Sequence, residues 1–138
     1  MTRKMIWPLM LTLPLLLVAC AGAPKKADQE AQVKARAEAY WKHRIRGELA
    51  KAYTFEDPQF REKVTLDNYY KVMLGSVVFL GATVKSAVIE KDWATVTVEL
   101  RYKPLAGPSP KEGLSRATPD YWRLESGVWY HHRQKTEN

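Results

Sequence analysis

The chain has 138 residues, 22 Lys and Arg against 15 Asp and Glu for a formal charge of +7, and one cysteine. That length allows one compact domain with a hydrophobic core and is too short for two. One cysteine excludes an intramolecular disulfide, and neither internal repeats nor low-complexity segments are present.

At the N-terminus, Thr2, Arg3 and Lys4 precede an almost wholly apolar run from Ile6 to Ala19. This is the layout of an export signal. The run is shorter than the roughly 20 residues a bilayer-spanning helix needs, and Pro8 and Pro14 interrupt it, so it is not read as a permanent anchor. Its end, Leu17-Val18-Ala19-Cys20, resembles the lipobox of bacterial lipoproteins.

The lipobox resemblance implies cleavage before Cys20, transfer of a diacylglycerol to its thiol, and acylation of the new amine by a fatty acid such as palmitate. At about 0.8 kcal/mol per buried methylene, three chains make such attachment effectively permanent. Lipidation of the sole thiol would also remove cysteine-nucleophile and zinc-thiolate chemistry. Residue 21 is Ala rather than Asp. Under the enteric-type sorting rule this implies the outer membrane, facing the periplasm, in a cell with two membranes, and the cell membrane otherwise.

Removing 19 residues, among them Arg3 and Lys4, leaves 119 and takes the charge from +7 to +5. A basic balance often marks nucleic-acid binding, but an exported, tethered domain meets lipid head groups and envelope polymers first. The expected partners are therefore the membrane, through the lipid, and a small apolar ligand or an envelope protein, with no nucleic acid.

Residues 20–27 read as a lipidated tether and 28–135 as the domain. From Asp28, taken as N-cap, Val33, Ala37, Tyr40, Trp41, Ile45, Leu49 and Tyr53 recur at steps of three and four, which predicts an amphipathic helix. Gly47 breaks it, leaving a short second helix up to Tyr53, and Asp57-Pro58 ends that element. A third helix is expected with Thr65 as N-cap, Leu66, Tyr69, Tyr70 and Met73 inward, and Gly75 as its stop.

Beyond Gly75 the period becomes two. Residues 82–91 and the strictly alternating run around Val96, Val98, Leu100 and Tyr102 predict a hairpin turning near Asp92-Trp93. SVVFL before it is either a further strand or the end of the helical part. A proline-rich loop from Pro104 to Pro119 leads to a second hairpin, DYWRLE and VWYHHR, turning at Ser126-Gly127.

Helices followed by antiparallel strands predict an α+β domain with the helices packed on one face of the sheet. The aromatic helix with AYW at 39–41, the GELAKAY step at 47–53, FEDP at 55–58 and the late YWRLESGVWYHH together resemble the nuclear transport factor 2-like (NTF2-like), or cystatin-like, superfamily. The resemblance implies a cone-shaped domain whose curved sheet encloses a pocket. Some members use it as an active site, as in ketosteroid isomerase and several dehydratases; many others only bind ligands or proteins.

With a two-residue turn at Ser126-Gly127, Leu124 pairs with Trp129 and Trp122 with His131, all four on one face, while Tyr121, Arg123, Tyr130 and His132 take the other. An inward His131 has a titration range suited to a general base, although a hydrogen-bonded core histidine satisfies the pattern too. Asp57 lies where enzymes of the superfamily can carry a carboxylate, and equally where an Asp-Pro step organises a turn. Tyr40 completes the catalytic candidates. Trp41, Tyr69, Trp122, Trp129 and His131 are the expected pocket residues, or else core.

His43, His131 and His132 lack the spacing of a metal set. Phosphate loops, serine-nucleophile elbows and metalloprotease motifs are absent. No metal and no cofactor is expected.

Two functions remain open. One is a membrane-anchored envelope lipoprotein with a non-catalytic ligand- or protein-binding domain, recognising its partner at the pocket mouth and the 104–119 loop; a purely structural envelope subunit is its close variant. The other is an acid/base isomerase or dehydratase-like enzyme using His131 with Asp57 or a Tyr. His131 and a carboxylate converging on an open cavity favours the enzyme, and an interior filled by Trp41, Tyr69, Trp122 and Trp129 disfavours it.

Overall fold

The computed structural model describes residues 25–133. The signal segment 1–19, Cys20 and the first part of the tether lie outside the described residues. Among those described, no helix is long and apolar enough to cross a membrane.

Helix α1 spans Lys26–Ile45 and is capped by Lys25 rather than Asp28, which falls in its first turn. An acidic residue there complements the positive end of the helix dipole without being the cap. The helical register therefore starts two residues inside the expected tether. Val33, Ala37, Tyr40 and Trp41 form the buried stripe. Gly47, at φ +72°, makes the reversal that an L side chain resists, and α2, Leu49–Tyr53, follows.

Asp57-Pro58 does not simply end that element; it starts another. Helix α3, Pro58–Lys63, has proline at its first turn, and Asp57 Oδ1 accepts the Phe60 amide at 2.8 Å. Thr65 caps α4, Leu66–Met73, which stops just before Gly75. Only Tyr69 of the expected inward face is buried, whereas Leu66 and Tyr70 are exposed. An eight-residue helix at the margin of the domain turns one side to the core and leaves the rest of its apolar stripe uncovered.

Four strands form an antiparallel meander in the order β1-β2-β3-β4: Val77–Glu90, Trp93–Pro104, Leu114–Glu125 and Val128–His132. SVVFL thus supplies the start of β1. The first hairpin turns at Lys91-Asp92, since Trp93 already pairs with Glu90. Register shifts between Phe79 and Gly81 and between Val84 and Ser86 bend β1.

Strand β3 begins at Leu114, so the connecting loop is residues 105–113 rather than 104–119. Pro119 sits within the strand opposite Thr97, and β4 pairs only with Tyr121–Glu125, so no partner on the other side of β3 requires a Pro119 amide.

The second hairpin has the predicted register, with Leu124 opposite Trp129 and Trp122 opposite His131. Ser126 and Gly127 both take positive φ, the backbone of a turn matched to strand twist. The helices cover one sheet face, where Val33, Ala37, Tyr40, Trp41, Val96, Val98, Trp122 and Trp129 form one hydrophobic cluster.

Candidate functional site

Two features stand out: an ionic cluster in the core and an apolar cleft where the ends of α1 and α4 meet the start of β1. The cluster starts from the segment between α2 and α3, which runs beside β4 as a one-residue parallel extension of the sheet. The His131 amide donates to Phe55 O at 2.7 Å, and the Asp57 amide donates to His131 O at 3.1 Å. This pairing points Glu56 into the core.

His131 Nδ1 lies 2.9 Å from Glu56 Oε2, and its Nε2 lies 2.9 Å from Asp120 Oδ1. Tyr40 stacks on the imidazole, centroid to centroid at 4.4 Å. Its hydroxyl donates to Glu56 Oε1 at 3.2 Å, and Arg133 Nη2 donates to the same oxygen at 3.0 Å. On the other side, Trp41 and Trp122 donate their indole N–H groups to Asp120 Oδ2 at 3.0 and 3.2 Å.

Burial alone would pull the His131 pKa down, but hydrogen bonds to Asp120 and Glu56 and their negative charges raise it to about 9. Burial likewise pushes Glu56 up, and is outweighed by His131 and Arg133, which hold it at about 2. Tyr40 is raised well above its ordinary value, first by burial and then by the Glu56 charge. At neutral pH His131 is therefore an imidazolium donating both protons to carboxylates. Neither nitrogen is left to accept a substrate proton, and Tyr40 is far from ionising.

The expected pocket residues are packed interior. Tyr69, Trp122 and Trp129 are essentially fully buried, Trp41 is nearly so, and His131 is 8 % exposed. None of the five lines the apolar cleft. Trp129 borders a shallow depression beside Gln32, Arg36 and Gly127 on the outside of α1. Asp57, besides capping α3, lies 3.4 Å from Nδ1 of His132, the histidine on the opposite sheet face. The structure joins His131 to Tyr40 and does not join it to the Asp57 carboxylate.

The carboxylates that do meet His131 were missed from sequence. Asp120 shares parity with Trp122 and Leu124 along β3, so extending the alternation two residues back places it inward. Glu56 belongs to no periodic element, and nothing local announces it. Among the described residues, no group of three or more His, Cys, Asp or Glu side chains is arranged to hold a metal ion.

The open feature is a cleft of about 430 Å³ between the end of α1, the end of α4 and the start of β1. Ile45, Leu49, Val72, Met73, Val77 and Phe79 contribute apolar walls, and among the described residues Arg44 is the one charged side chain lining it. Two of its lining residues are exposed apolar side chains, Val72 at 57 % and Val78 at 48 %, and Leu74, which follows Met73 in the chain, is 80 % exposed. Leu105, whose amide donates to Ser76 O at 2.8 Å, adds a fourth exposed side chain at 67 %.

No protein-family model matches the chain, and no curated protein matches it. Among solved structures it is similar to a Campylobacter jejuni protein bearing the provisional description of an NTF2-like transpeptidase. That similarity has a TM-score of 0.55 at 10% identity, covering 74% of this chain and 98% of that one. It is also similar to a SEC-C motif containing protein from Rhodopseudomonas palustris, with a TM-score of 0.53 at 17% identity, covering 85% of this chain and 96% of that one. At such identities the likeness speaks for the backbone arrangement alone. Helices packed against a curved, four-stranded antiparallel sheet, matched over nearly the whole of the Campylobacter protein, give this chain an NTF2-like fold.

Proposed function

We propose that the chain is a lipid-anchored envelope protein whose NTF2-like domain binds a small apolar ligand in the cleft between α1, α4 and β1 and performs no acid–base chemistry. The carrying observation is the contrast between the two features. The His131 cluster has internally matched charges and is largely buried, whereas the cleft is open, apolar and bordered by side chains that burial would stabilise. The isomerase or dehydratase alternative requires a substrate to reach His131, and Tyr40, Trp41 and Trp122 occupy that space.

The anchor rests on Leu17-Val18-Ala19-Cys20 and the export-signal layout before it. In a cell with two membranes the domain is placed at the outer membrane, facing the periplasm. Helix α1 begins at Lys26, and its 20 residues span about 30 Å. The cleft lies at the far end of that helix from the proposed lipid, where a ligand or partner could reach it.

Two experiments test this reading. Mass spectrometry of the chain recovered from membranes should find it beginning at Cys20 with a diacylglycerol on the thiol and an acylated amine, and a membrane-held chain whose Cys20 is unmodified overturns the anchor. The chain purified from its native envelope should carry an apolar small molecule detectable by mass spectrometry. A protein held stoichiometrically in its place would make the cleft a docking surface, and the purely structural reading stands if nothing co-purifies.

A further inference from the structure

Arg44 has an environment that the apolar cleft alone does not explain. Its guanidinium lies over Trp41 at 5.3 Å, Phe79 at 5.6 Å and Tyr40 at 5.7 Å, and it donates one hydrogen bond, from Nη1 to Tyr40 Oη at 2.9 Å. A guanidinium carries five N–H groups in a planar fork. Among the described residues, no carboxylate forms an ion pair with Arg44 and no acidic side chain lines the cleft. The nearest carboxylate along the hydrogen-bonded chain, Glu56, lies beyond Tyr40 and is already held by His131 and Arg133.

The end of α1 does not supply the missing negative partner. Its last carbonyls are satisfied within the chain: Lys42 O by the Arg46 amide, His43 O by Glu48 and Arg44 O by Gly47. A cation stacked on aromatic faces, partly shielded from water and lacking an anion, stands beside an apolar volume of ligand size. We propose that the cleft takes a carboxylate-headed amphiphile of the fatty-acid type, its head group paired with the Arg44 fork and its tail lying against Ile45, Leu49, Val72 and Val77. A planar carboxylate matches the guanidinium in two parallel hydrogen bonds, which an alcohol or an ammonium head group cannot do.

This inference rests on the apolar-cleft reading, and the test separates the two. The chain from residue 20 onward, with Cys20→Ala, retains all the helices, strands and core residues described above. It is titrated calorimetrically with dodecanoate, dodecanol and dodecylammonium below their micelle-forming concentrations. Dodecanoate should bind about tenfold more tightly than dodecanol, the effect of one charge-assisted pair. Arg44→Gln should erase that advantage, so that dodecanoate and dodecanol bind it equally, and Arg44→Lys should keep part of it; thermal melts of both variants check that the fold is intact.

Equal binding of dodecanoate and dodecanol, tighter binding of dodecylammonium, or an advantage that survives in Arg44→Gln overturns the head-group assignment and leaves the apolar cleft standing. Failure of all three probes to bind overturns both.

Discussion

His131 Nε2 lies 2.9 Å from Asp120 Oδ1, two residues 11 apart in sequence and joined across the β3–β4 ladder. With Glu56 on the other nitrogen, from 75 residues away, the imidazolium ties the α2–α3 connection to the sheet. The arrangement works as a clasp in the core: its charges match, it is largely saturated with hydrogen bonds, and aromatic rings seal it.

Breaking the clasp at one partner leaves buried charge uncompensated, which costs more than the net worth of the pair. His131→Ala should therefore destabilise the domain by about 3–5 kcal/mol, read as a lower urea midpoint. An unchanged midpoint would show that the cluster is solvated in solution.

The same cluster sets the pH profile of stability. Glu56 is held at about 2 against an ordinary 4.5, so its contribution is complete above about pH 4.5 and is lost as the pH falls toward 2. His131 is raised to about 9 from 6.5, so its contribution is complete below about pH 6.5 and is lost as the pH rises through 9. Chemical denaturation across pH should show a plateau between these limits, with each limb worth roughly 3 kcal/mol. His131→Gln should flatten the alkaline limb.

At Gly113 the backbone has φ +86°, and a β-carbon there would lie 2.8 Å from Leu80 Cδ1 and 2.9 Å from the Tyr102 carbonyl oxygen. The leucine can swing aside, but the carbonyl is held in β2. Gly113→Ala should cost about 1–3 kcal/mol through backbone strain and this contact, measured as a drop in thermal midpoint.

Asp57 should behave as a cap. Asp57→Ala removes the hydrogen bond to the Phe60 amide and should lower stability by about 1 kcal/mol, whereas Asp57→Asn should recover most of that loss. A catalytic carboxylate would show the opposite ranking in an activity assay, because the amide keeps the cap and loses the charge.

Val72 separates binding from folding. It lines the cleft yet is more than half exposed, so Val72→Asp should change unfolding free energy by no more than about 0.5 kcal/mol. The same substitution places a charge in the apolar wall and should weaken dodecanoate binding at least about tenfold.

Much of this architecture could be read along the chain because the signals are local. The three- and four-residue spacing of Val33, Ala37, Tyr40 and Trp41 is a property of one helix, and the pairing of Trp122 with His131 follows from one two-residue turn. Misreadings occurred where a local rule was overridden. Pro119 looked like loop, but β3 tolerates it where β4 ends; Leu66 and Tyr70 looked buried, but α4 has too little sheet beneath it to cover them.

The sequence by itself determined the α+β order and the inward face of the second hairpin, because each follows from neighbouring residues, and it is the sole basis of the proposed anchor at Cys20. Only the tertiary structure decided what surrounds His131 and where the open cleft lies. Those depend on Glu56 and Asp120 arriving from separate segments, and on Arg44 meeting α4 and β1 without a carboxylate; no periodicity encodes the meeting of elements distant in the chain.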